Sequence, residues 1–163
     1  MTDFSKLIPL LKTHDVAFII IGGAAAVLHG SSRVTFDLDI VYERSPLNLS
    51  RLAQALAQQS PYMRGAPPGL PFPWSAQTLQ LGLNFTLETK LGNIDLLGEI
   101  PGNDTYETLL PQSSDYEVFG VNCRVLDLPA LIRTKRAAGR QKDLEAIAEL
   151  EAIQEERRPQ SDA

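Results

Sequence analysis

The stretch "VAFIIIGGAAAVLHGSSRVTFDLDIVY", residues 16–42, decides how the chain is read. It opens on an apolar, β-branched run ending at Ile21, which reads as a buried strand. Gly22 and Gly23 end that strand. Residues 24–29 follow as a short, mostly apolar helix, which such a composition buries. Residues 35–42 read as a second strand, in which Asp37 and Asp39 alternate with Phe36, Leu38 and Ile40. Side chains of a strand alternate faces, so both aspartates point one way and the three apolar residues anchor the other face in the core. Aspartate is a poor strand former, and two close carboxylates repel unless a positive charge lies between them or one takes up a proton. A divalent cation is the natural partner, since magnesium is commonly held by one or two carboxylates together with substrate phosphates. Taken alone, D-x-D also fits two ordinary surface acids.

Working outward, residues 4–13 read as a short helix. Ser45 and Pro46 start another over 46–59, with serine as the cap and proline in the first turn. The segment 60–74 holds five prolines and two glycines and reads as a loop. "LNFTLETKLGNIDLLGEI" (83–100) and "YEVFGVNCRVLD" (116–127) read as hairpins turning near Lys90–Gly92 and at Gly120. Helices are expected over 129–138 and 141–156, the second carrying Leu144, Ile147, Leu150 and Ile153 along one side. Strict strand–helix alternation is absent, so the expected class is α/β (α+β): a mixed sheet with flanking helices and two C-terminal helices.

A chain of 163 residues suits a single domain, placed at 1–156, with 157–163 as a disordered tail. The one cysteine, Cys123, has no partner for an internal disulfide, which fits a reducing compartment. No signal peptide is evident, and the apolar run 17–28 is too short for a membrane span. The expectation is a cytoplasmic protein. A net charge of −5 argues against general nucleic-acid binding. Within that average, "RTKRAAGRQK" (133–142) carries five positive charges and no acid. Such a cluster suits phosphate, which arginine grips bidentately, or else a basic helix end placed to suit the helix dipole. His29 and His14 read as structural and surface residues. Phe72 and Trp74 either pin the proline-rich loop or stack on a base.

The Gly-Gly turn, the D-x-D strand and a third strand acid, Asp95 in "GNIDLLG", make one arrangement. It resembles the nucleotidyltransferase superfamily that includes DNA polymerase β. "RVTFDLD" followed late by Lys135, Arg140, Lys142 and Asp143 also resembles the small nucleotidyltransferase-like proteins related to AbiEii-type abortive-infection toxins. The resemblance covers roughly residues 15–45 and 85–155. It implies attack of an acceptor hydroxyl on the α-phosphorus of an NTP, with release of pyrophosphate and magnesium or manganese as the metal. Asp37, Asp39 and Asp95 are then the catalytic, metal-holding acids. Gly22 and Gly23 let the triphosphate lie against bare backbone, and Lys135, Arg140 and Lys142 contact nucleotide or acceptor. Arg33 either contacts a phosphate or braces the aspartates. Asp143 equally suits the start of the last helix. Many relatives carry serine where this chain has Gly23, and the chain leaves little room for an acceptor-binding domain. The implied acceptor is tRNA or a protein, with a toxin–antitoxin role and an antitoxin partner. A small molecule of the aminoglycoside type is the alternative, and a catalytically silent binding relative the third reading.

Overall fold

The computed structural model describes residues 1–159. Asp3 caps helix α1 (Phe4–Thr13) by accepting from the Lys6 N–H, and Leu7, Ile8 and Leu11 form its buried stripe. Strand β1 (Phe18–Ile21) is buried at every residue, so both faces of the sheet are covered there. The chain passes straight from β1 into helix α2 (Gly22–Leu28) through Gly22, whose φ of +63° is left-handed. Glycine adopts that conformation without steric cost.

Strand β2 (Asp37–Tyr42) returns antiparallel to β1. Helix α3 (Pro46–Leu56) follows, capped by Ser45, and a 3-10 turn at Ala57–Gln59 prolongs it. The chain continues through β3 (Tyr62–Met63), α4 (Ala76–Leu81), β4 (Asn84–Thr89) and β5 (Gly92–Leu97). It ends with α5 (Tyr106–Leu109), β6 (Ser113–Val118), β7 (Val121–Leu126), α6 (Leu128–Ala138) and α7 (Gln141–Glu156).

The seven strands form one mixed sheet in the order β3-β4-β5-β2-β1-β7-β6. The β4–β5 hairpin joins through β5, parallel to β2, and the β6–β7 hairpin joins through β7, parallel to β1. This is the mixed sheet with flanking helices and two closing helices that the sequence implies. No helix among the described residues is long and apolar enough to cross a membrane.

Several local expectations need correction. Phe36 is 59% exposed and does not anchor the D-x-D strand. Pairing with β5 begins only at Asp37 opposite Asn93, so that face is held by Leu38, Ile40 and Tyr42, all buried, and not by Phe36. Leu144 is exposed, because α7 buries only the face bearing Ala146, Ile147 and Leu150. The proline-rich segment is not wholly loop, since Tyr62 and Met63 pair with β4 as an edge strand. The segment expected as a disordered tail begins at Arg157, yet Arg157 Nη2 donates to the His29 carbonyl at 2.7 Å. Residues 160–163 of that tail lie outside the described residues.

Candidate active site

Strand register builds the site. Ile21 lies opposite Asp39 on β2, and Asp39 lies opposite Asp95 on β5. Residues directly opposite one another present their side chains to the same face. Asp37, two residues before Asp39, shares that face, and Asn93 Nδ2 donates to Asp37 Oδ1 at 3.0 Å. The three acids are therefore neighbours by backbone pairing.

Gly22 and Gly23 hold the chain against this row. A Cβ on Gly22 would collide with Asp39 Oδ2, and one on Gly23 would come within 2.7 Å of Thr35 Oγ1. The sequence suggests glycines kept bare for a triphosphate. Protein side chains already come up against both.

Asp39 is the electrostatic focus. Burial, then the neighbouring charge and hydrogen bond of Asp95, then the charge of Asp37 push its carboxyl up to about 7, against a smaller opposing pull from Lys142. Its Oδ1 is buried with no hydrogen-bond partner. An unpartnered carboxylate oxygen beside other carboxylates suits a hard divalent cation, which takes oxygen ligands. Among the described residues, no three His, Cys, Asp or Glu side chains form a ready metal-holding group. Asp37 and Asp39 supply a carboxylate pair, and a pair with substrate phosphates is a common magnesium arrangement. The residues present thus fit a divalent cation.

The third acid is engaged by a residue that the sequence reading missed. Arg64 Nη2 donates to Asp95 Oδ1 at 2.7 Å, and Arg64 Nη1 lies 3.8 Å from Asp37 Oδ2. Arg64 comes from the proline-rich segment. Its only sequence signal is a basic residue directly after a Tyr-Met pair that forms an edge strand.

Beside the acids lies a cavity of about 300 Å³. Gly22, Gly23, Asp37 and Asp39 line it on the sheet side, and Lys135, Arg140 and Lys142 on the side of α6 and α7. Arg33, which has no ion-pair partner among the described residues, also lines it. Buried Asp143 organises the cations: its carboxylate accepts from Arg140 Nε at 2.6 Å and lies 4.0 Å from Lys135 Nζ. Burial raises the Asp143 carboxyl, but the hydrogen bond and charge of Arg140 and the charge of Lys135 prevail and hold it below the ordinary range. Burial pulls Lys135 down against the charges of Asp143 and Asp39. The other two cations of the basic segment face elsewhere, Arg133 to Asp104 and Arg136 to Glu151.

The remaining singled-out residues are structural. His29 is buried, with Nε2 2.7 Å from the Leu126 carbonyl. Trp74 Nε1 donates to the Ala53 carbonyl at 2.8 Å, and its ring meets Phe72, which meets Tyr62. These aromatics pin the proline-rich segment. Cys123 is buried within β7.

No family model matches the chain, and no curated protein matches it in sequence. Solved structures do match its fold. The lincosamide antibiotic adenylyltransferase LnuA, solved with lincomycin bound, superposes with a TM-score of 0.59 at 16% identity, covering 90% of this chain and 93% of that one. A Thermotoga maritima protein provisionally assigned as a nucleotidyltransferase superposes with a TM-score of 0.54 at 15% identity, covering 91% of this chain and 94% of that one. At these identities the likeness is one of architecture: the chain has the same fold as these two proteins along nearly its whole length.

Proposed function

We propose that the chain is a cytoplasmic, metal-dependent nucleotidyltransferase that moves NMP from an NTP to an acceptor hydroxyl and releases pyrophosphate. One observation carries this reading: the carboxylates of Asp37 and Asp39 and the cations of Lys135, Arg140 and Lys142 line a single cavity. Its volume, about 300 Å³, lies at the small end of the range for ligand sites. Acids at one side and cations at the other suit a metal-bound triphosphate, whose charge needs partners on both sides. The shared fold supports the same reading.

Magnesium or manganese held by the Asp37–Asp39 pair, with Asp95 joining only once Arg64 releases it, would supply positive charge to the phosphate oxygens, where negative charge gathers during transfer. Lys135, Arg140 and Lys142 bind the phosphates, with Arg33 at the rim. Asp143 keeps Arg140 and Lys135 in place. Asp95 completes the acid set and helps activate the acceptor hydroxyl.

The acceptor we favour is tRNA or a protein, in a toxin of the AbiEii type neutralised by an antitoxin partner. The basic residues facing the cavity, Arg33 and Lys142 above all, support an anionic acceptor such as tRNA. A small-molecule acceptor is the second reading. One observation favours it: the chain matches nearly the whole length of LnuA, an antibiotic adenylyltransferase by name.

Thermal-shift titration with each NTP and magnesium or manganese tests the reading. A ligand at 100 times its dissociation constant adds about 2.7 kcal/mol, or roughly 5–10 °C in Tm for a chain of this size. The expected result is metal-dependent stabilisation by at least one NTP, absent in the Asp37→Asn/Asp39→Asn double variant. That NTP, α-labelled, is then offered with tRNA, cellular protein and lincosamide or aminoglycoside acceptors. Wild type that no NTP stabilises under either metal overturns the reading.

A further inference from the structure

Arg64 continues the edge strand by one residue. Met63 pairs with Leu87, and the Arg64 N–H donates to the Thr86 carbonyl at 3.0 Å. Thr86 lies opposite Asp95, and Asp95 opposite Asp39. The row that sets the acids side by side therefore runs on through β4 to Arg64. Its side chain spans β4, where Nη2 donates to the Leu87 carbonyl at 2.8 Å, and then meets Asp95 and Asp37. The contact is sheltered, with the Arg64 side chain 27% exposed and that of Asp95 19% exposed. Arg64 Nε is buried without a partner. A guanidinium keeps its charge at any working pH, so the acid cluster carries a permanent cation of its own.

The geometry points to Arg64 as the resident counter-cation of the acid cluster, a residue that competes with divalent metal for Asp37 and Asp95 and so sets the metal affinity of the site. This rests on the reading that the carboxylates hold a divalent cation. A metal at the Asp37–Asp39 pair either displaces the guanidinium or binds against its repulsion, and both weaken binding of metal alone. An arriving triphosphate brings negative charge that offsets this repulsion and offers Arg64 an alternative partner. Metal and nucleotide then tighten one another, as thermodynamic linkage requires of coupled ligands.

An arginine that merely aimed the carboxylates would predict the reverse, because losing it would loosen the ligands and weaken metal binding. The sign of the effect therefore separates the two roles. Binding of manganese to the whole chain without nucleotide is measured by calorimetry or by the electron paramagnetic resonance of free manganese. The proteins are wild type, Arg64→Gln and Arg64→Lys, each checked for cooperative melting.

Arg64→Gln is expected to bind manganese about tenfold more tightly than wild type, the equivalent of 1.4 kcal/mol. The gain in manganese affinity on adding NTP is expected to shrink by a similar factor. Arg64→Lys keeps the charge without the fork that spans two carboxylates, and its affinity is expected to fall between the other two. It serves as the test should Arg64→Gln fail to fold. Manganese affinity unchanged or weakened in both variants overturns the proposal, as does absence of binding to all three proteins. Tighter binding in Arg64→Gln, with no NTP stabilising wild type, upholds the competition and removes the transferase reading. NTP-dependent labelling by wild type, with manganese affinity unchanged in the variants, does the opposite.

Discussion

Gly22 and Asp39 are locked together: the α-carbon of Gly22 faces Asp39 Oδ2 so closely that no side chain fits between them. The left-handed φ of Gly22, +63°, reinforces the constraint. The residue that turns strand β1 into helix α2 therefore also walls in the most strongly perturbed carboxylate of the cavity.

Gly22→Ala is expected to destabilise the chain by roughly 2–4 kcal/mol, from left-handed strain together with overpacking. Chemical denaturation should show a lower midpoint with an unchanged m-value. A change under 0.5 kcal/mol would mean that Asp39 moves aside freely.

Asp39 predicts a pH dependence in metal-free protein. Burial and the neighbouring carboxylates push its pKa in the folded chain up to about 7, above the ordinary carboxylate range, so the folded state binds the proton more tightly than the unfolded chain. The stability this contributes is complete below about pH 4 and is lost as pH rises through 7. Asp39→Asn cannot ionise. With chelator present, its Tm should exceed that of wild type at pH 8 by several degrees, and the gap should close toward pH 4. A gap that stays constant with pH would contradict the assignment.

Asp143 predicts the opposite slope. Arg140 and Lys135 hold its carboxyl low, so its contribution is present above the ordinary carboxylate range and lost as pH falls through the lowered pKa. Asp143→Ala also leaves the Lys135 ammonium, only 13% exposed, without its partner. Breaking a buried pair from one side costs about 3–5 kcal/mol, and the exposure of Arg140 on the other arm brings the expectation to the lower end. Urea melts at pH 7 and pH 3 should show the deficit at pH 7 and a smaller one at pH 3.

Arg140→Gln and Lys142→Gln separate phosphate binding from scaffolding. Hydrogen bonds to charged groups contribute about 1.5–3 kcal/mol, so each is expected to weaken NTP binding by roughly 10- to 100-fold. Arg140→Gln should also lower Tm, because it releases Asp143. Lys142→Gln should leave Tm of the metal-free protein within about a degree, since no ion pair ties its side chain among the described residues.

Local pattern reached far because the decisive residues are close in sequence. The β-branched run ending at Ile21, the two glycines and the alternation through Asp39 placed two strands and the helix between them. Asp95 was legible as an acid between two apolar strand residues. Alternation misled at Phe36, because the pattern continues past the point where a neighbouring strand is there to pair. At Leu144 the helical spacing held, but α7 buries too narrow a stripe to cover it. Arg64 was out of reach: its place depends on the register of a two-residue edge strand against β4, and thereby on β5 and β2. Spacing in one segment does not encode partners two and three strands away.

The proline-rich segment that carries Arg64 also carries Trp74, the one tryptophan of the chain, anchored through its indole N–H to the Ala53 carbonyl. The sole indole of the chain thus sits on the same short tether as the guanidinium. Excited at the red edge of indole absorption, where the four tyrosines do not absorb, unmodified protein emits from one indole. Rearrangement of that tether would be readable in real time, by stopped-flow mixing, with no label attached.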